Sequence, residues 1–114
     1  MWPFRKRRFR EVVGRQLAIF AEDHAELVDD ARAALRRYGR TSNAQAAQEQ
    51  YGEHDELAEQ VEELLDDMYR NFAWSLDDGA VGPYRREFAR QAKAQYGDLL
   101  PRLTFDAPDD QLPS

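Results

Sequence analysis

The chain has 114 residues, 42% of them hydrophobic and 33% charged, with a formal net charge of -6. That length and balance describe one folded domain with a core of its own and exclude a disordered chain. Cysteine is absent, which excludes disulfides, thiolate metal sites and cysteine nucleophiles.

The first ten residues set Arg5, Lys6, Arg7, Arg8 and Arg10 among Trp2, Phe4 and Phe9. A basic, aromatic end on an acidic chain suggests a second surface with its own partner. Three roles fit it. It could attach to an anionic membrane surface, where each cation contributes about 1 kcal/mol and the rings enter the headgroup layer. It could bind nucleic-acid phosphates without sequence preference, although the acidic remainder would repel that backbone. It could also fold back as a strap over the chain's own acids. The longest clean apolar run, Leu17–Ala21, falls far short of the ~20 residues of a membrane span. No hydrophobic signal core comes after the basic residues. The expected location is therefore cytoplasmic, with peripheral attachment at the inner face of the membrane.

Helical spacing dominates the chain from Val13 onward. Val13, Leu17, Phe20, His24, Leu27, Ala31, Ala34 and Tyr38 recur at alternating steps of four and three, a heptad seam. Gly39 after Arg36, Arg37 and Tyr38 reads as a helix stop with cations at the negative end of the dipole. Ser42 and Gln45 match a capping box that starts a second helix near Asn43. Its seam runs Ala44, Ala47, Tyr51, His54, Ala58, Val61, Leu65, Met68 and Phe72, widened by Leu57, Leu64, Tyr69 and Leu76. Gly52 lies inside it and costs roughly 1 kcal/mol relative to Ala, so the helix could break there. Asp77–Pro83 reads as a turn, with Pro83 in the first turn of a third helix. Val81, Tyr84, Phe88, Ala92, Tyr96, Leu99 and Leu103 give that helix its stripe, with Gly97 or Pro101 ending it.

Short connections near 39–42 and 77–82 force antiparallel neighbours. The expected fold is all-α: an antiparallel up-down-up three-helix bundle built on a long helical hairpin. Residues 1–10 form the basic-aromatic segment, 11–103 the bundle and 104–114 an acidic disordered tail. The third helix is too short to cover the hairpin, whose uncovered end could pair with a second copy as a homodimer.

Charge divides along the chain. Residues 1–40 sum to +4 and residues 41–114 to -10, and Glu53–Asp67 holds eight acids with no Lys or Arg. Glu56, Glu59, Glu63, Asp66 and Asp67 form an acidic face that is either plainly solvated or a docking surface for a basic protein partner. It lacks the spacing of a calcium loop. His24 and His54 fall on seam positions that an antiparallel hairpin brings to similar levels. Together they suggest a pH switch or part of a metal site or, more simply, two hydrogen-bonded histidines that fix register. Neither the Glu-x-x-His of di-iron bundles nor His-Glu-x-x-His occurs. Trp74 lies off the stripe and is either a partner anchor or, as the simpler expectation, a ring that packs in the core or caps the next loop. Neither Ser42 nor Ser75 lies in a nucleophile turn, and no phosphate-cradling loop occurs. The functional expectation is a non-catalytic, cofactor-free adaptor with an acidic docking face and a membrane-attaching N-terminus. The alternatives are a nucleic-acid-associated regulator and a metal- or ligand-binding protein around the two histidines.

Overall fold

The computed structural model describes residues 8–40 and 43–106. These residues are all-α, with no strand among them. Four helices replace the expected three: α1 (Arg10–Asp23), α2 (Ala25–Arg40), α3 (Ala44–Ala73) and α4 (Asp78–Tyr96). The first seam is interrupted at His24, whose backbone (φ -121, ψ 27) leaves the helical region while its N–H still donates to Phe20 O. A physical reason lies in the neighbours. α1 packs chiefly on α4, whereas α2 packs chiefly on α3. One straight seam cannot face two partners in different places, and the break at His24 lets it change direction.

The helix ends correct several boundaries. Asn43 caps α3, its side chain accepting from Ala46 N at 3.0 Å; the expected cap, Ser42, lies outside the described residues. α2 runs through Gly39 to Arg40. α3 is continuous through Gly52, where an added Cβ would meet open space. Pro83 stands in the second turn of α4 rather than the first, because α4 starts at Asp78. Gly97 ends α4, and a Cβ there would come within 2.6 Å of Lys93 O.

The core is a set of interlocked rings between α1, α3, α4 and the segment after α4. Tyr69 and Tyr84 stack with centroids 5.8 Å apart and planes 6° apart. Phe72, Phe88 and Phe9 flank Tyr84 at 4.8, 5.8 and 5.5 Å. Phe72 pairs with Tyr84 and Tyr69 with Phe88, so α3 and α4 run antiparallel. Phe9 pairs with Tyr84 and Phe20 with Tyr96, so α1 runs in the direction of α4. Val13, Leu17, Val61, Leu65 and Ala92 fill the space between the rings, none more than 1% exposed. Burial raises the pKa of Tyr69, Tyr84 and Tyr96, and the neutral hydroxyls of Tyr69 and Tyr84 donate hydrogen bonds to Asp106 O and Gln16 Oε1.

Both ends of the expected bundle move. Phe9, expected in the basic-aromatic segment outside the bundle, is 8% exposed and packs edge-on against Tyr84. Phe105, expected in a disordered tail, is 6% exposed and lies 5.2 Å from Tyr69 and 5.0 Å from Phe88. Tyr69 Oη donates to Asp106 O at 2.7 Å. The globular body therefore extends from Phe9 to Asp106. Residues 107–114 and residues 1–7 lie outside the described part.

Truncating a buried aromatic costs about 3–5 kcal/mol. Phe9→Ala is accordingly expected to lower unfolding stability by about 3 kcal/mol, with an unchanged denaturant slope in urea unfolding. A loss below about 0.5 kcal/mol would mean that Phe9 is free of the core.

Candidate functional site

The acidic face occupies the middle of α3, an amphipathic helix of 30 residues. Steps of three and four place Glu56, Glu59, Glu63 and Asp67 along one side, all exposed. Asp66 departs from this set. It is half-buried and accepts from Arg70 Nε at 2.6 Å, an i,i+4 pair that neutralises it locally. Glu62, which sequence spacing left aside, joins the group because it borders a channel that only the fold creates.

That channel runs between α3 and the segment Leu99–Asp106. Its first part, about 350 Å³, is floored by Ala58, Leu99, Leu100 and Leu103 and bordered by Tyr51, His54, Asp55, Glu59, Glu62 and Arg102. Its second part, about 340 Å³, shares Glu59 and Glu62 and adds Glu63, Asp66, Arg70, Thr104 and Asp106. Carboxylates outnumber cations along both parts. The arrangement offers apolar surface inside a negative rim, which suits a cationic ligand with apolar portions: the rim selects the charge and the floor buries the stem.

The far wall of the channel is held at three points. Phe105 and the Tyr69–Asp106 hydrogen bond fix its end. Leu99 and Leu100 donate their N–H groups back to Tyr96 O, turning the chain after α4. Arg32 of α2 fixes its start: Nε donates to Asp98 Oδ2 at 3.0 Å, and Nη2 donates to Gln95 O at 2.9 Å and to Asp98 Oδ1 at 3.3 Å. The guanidinium also lies 5.7 Å from the Tyr96 ring centroid. Its hydrogen bond holds the Asp98 carboxyl below the usual carboxylate range, with burial opposing, and the same bond raises Arg32.

The two histidines occupy different settings. His24 sits at the α1–α2 break with its ring 4.7 Å from Phe20. His54 borders the channel, and its buried Nδ1 has no hydrogen-bond partner. Among the described residues no group of three or more His, Asp or Glu side chains is placed to hold a metal ion.

Of the basic-aromatic segment, Arg8, Phe9 and Arg10 are described. Arg8 is exposed, with its guanidinium 5.0 Å from the Phe9 ring. Arg10 opens α1, and its carbonyl accepts from Gln91 Nε2 at 3.0 Å. Trp2, Phe4, Arg5, Lys6 and Arg7 lie outside the described residues. Trp74 is 53% exposed and so does not pack in the core; its backbone N–H donates to Arg70 O at the end of α3. Glu87 escapes notice in the sequence because it adjoins the Phe88 stripe. It is 7% exposed and accepts from Arg90 Nη2 and Gln91 Nε2, both at 2.6 Å. Gln91, which it holds, links α4 to the start of α1 by donating to Arg10 O.

Comparison with protein family models, curated proteins and solved structures finds no match for this chain. Among the described residues no helix is long and apolar enough to cross a membrane.

The Arg32–Asp98 pair carries a pH signature. A carboxyl with a depressed folded-state pKa adds stability above its unfolded value near 4, and that stability is lost as pH falls through the folded value. Asp98→Asn is expected to destabilise by roughly 0.5–1 kcal/mol at neutral pH, the scale of a partly exposed pair. The difference from wild type should shrink to nothing below the carboxylate range, measured by urea unfolding across a pH series. An equal loss at acid and neutral pH would contradict the assignment.

Proposed function

We propose that this chain is a non-catalytic helical adaptor that takes a basic segment of a protein partner into the channel between α3 and Leu99–Asp106. The observation that supports this most is the apolar floor of Ala58, Leu99, Leu100 and Leu103 inside the rim of Asp55, Glu59 and Glu62. A merely solvated acidic helix face has no such floor and no opposing wall. In this reading α1 and α2 act as one interrupted arm antiparallel to α3, and the body keeps an up-down-up course.

The rim contributes mainly to encounter rate and selectivity, and the floor contributes to residence time. Binding should therefore weaken with added salt, because exposed charges are screened over about 8 Å at physiological ionic strength. The anionic-surface role expected of the N-terminus loses Phe9 to the core, and no observation in the body favours it. The histidine-centred alternative has the same weakness, since His24 and His54 lie against different neighbours.

A short peptide of alternating arginine and leucine is a suitable probe for isothermal titration. Glu59→Lys combined with Glu62→Lys is expected to weaken its binding by at least about tenfold at low salt, or 1.4 kcal/mol. Glu11→Lys combined with Glu22→Lys, the same charge change at exposed positions of α1, should leave it nearly unchanged. Equal losses from both variants would reduce the effect to net charge and rule out a role for the channel.

A further inference from the structure

The distal half of the α2–α3 hairpin is helical without being covered. Among the described residues nothing between Ala34 and Ala58 is buried. Tyr38 and Tyr51 are 40% and 51% exposed, yet their rings pair across the hairpin at 5.5 Å. Leu35, Ala46, Ala47 and Leu57 are only half-buried. The Leu99–Leu103 segment faces this stretch only across the channel, at Tyr51, His54 and Asp55. Helices draw most of their stability from packing of an amphipathic face, and here one seam alone is packed. Exposed paired tyrosines are characteristic of the centre of protein interfaces rather than of solvated helix surface.

The charge on the two helices says what could cover them. Residues 32–40 hold Arg32, Arg36, Arg37 and Arg40 and no acid; residues 44–59 hold Glu49, Glu53, Asp55, Glu56 and Glu59 and no Lys or Arg. Arg37 Nη2 already donates to Glu53 Oε1 within the hairpin, which shows that the two edges match. Arg36, Arg40, Glu49 and Glu56 remain exposed. In a two-fold interface every contact occurs twice, residue i on j and j on i. A surface with one cationic and one anionic helix is complementary to its own rotated copy.

We infer that the distal α2–α3 hairpin is a homodimerisation surface, with α2 of each copy lying on α3 of the other around the Tyr38–Tyr51 pairs. Two hairpins so joined bury the stripe that each leaves open and form a four-helix arrangement. The surface is separate from the cationic-segment channel in its α2 half, so the two can be tested apart.

Light scattering of the full chain during size exclusion reads the result. Wild type is expected at twice the 13.3 kDa chain mass. Arg36→Glu with Arg40→Glu is expected at the single-chain mass, and so is Glu49→Arg with Glu56→Arg, because each places like charges together twice. Mixing the two variants should restore the doubled mass, since both contacts of the heterodimer are then complementary. Tyr38→Glu should also give the single mass, with helicity by circular dichroism confirming that each variant is folded. A wild-type chain at 13.3 kDa throughout the micromolar range overturns the inference. So does a dimer that neither charge reversal disrupts, or a mixture of folded variants that stays monomeric.

Discussion

Two tyrosine rings set the terms of this fold. Tyr69 and Tyr84 lie flat against each other, without exposure, at the junction of α3 and α4. Stacked rings add about 0.5–1.5 kcal/mol beyond their buried area, but each also carries a hydroxyl whose burial is unfavourable without a partner. Tyr84 Oη finds Gln16 Oε1 of α1 at 2.9 Å, and Tyr69 Oη finds Asp106 O of the final segment at 2.7 Å. The ring pair therefore requires two distant parts of the chain to be in place. Phe9 and Phe105 answer to the same requirement, since each is carried to the rings by the segment that supplies a hydrogen-bond acceptor.

The channel is a consequence of that closure. α3 alone presents an acidic helix face, a common and uninformative feature. Once Phe105 and Asp106 are drawn onto Tyr69, the segment before them must cross beside α3, and Leu99, Leu100 and Leu103 become one side of a groove. Arg32 then fixes the near end by gripping Asp98 and Gln95 O. Sites built this way, on helices and a tethered segment, have a fixed width and can discriminate shape as well as charge.

Much of the core is legible as spacing. Val13, Leu17, Phe20, Ala58, Val61, Leu65, Tyr84, Phe88, Ala92 and Tyr96 all lie on seams and are all buried. What spacing does not show falls into two kinds. Phe9 stands four residues before Val13, in line with the seam, but between Arg8 and Arg10 it reads as part of the basic end; Phe105 is a lone aromatic between Thr104 and Asp106, where no periodicity places it. Tyr38 and Tyr51 obey the heptad but stay exposed, because a seam predicts a facing partner and the hairpin has outrun its third layer. His24 continues the seam in sequence yet marks its interruption, since periodicity cannot report that α1 and α2 serve different neighbours. The acidic face is visible as a run of acids, whereas Glu62 and the leucine floor require the return of the chain after Gly97.

Folding of Leu99–Asp106 onto the aromatic core is what creates the channel that we propose takes a basic segment. The direct measurement is the affinity of the arginine–leucine peptide for a chain carrying Phe105→Ala, with helicity followed by circular dichroism. Removal of the ring releases its contacts with Tyr69 and Phe88 while leaving every carboxylate of α3 in place. The expected result is retained helicity with binding weakened about tenfold or more. Unchanged affinity in a folded variant would show that the acids of α3 act alone and that the wall contributes nothing.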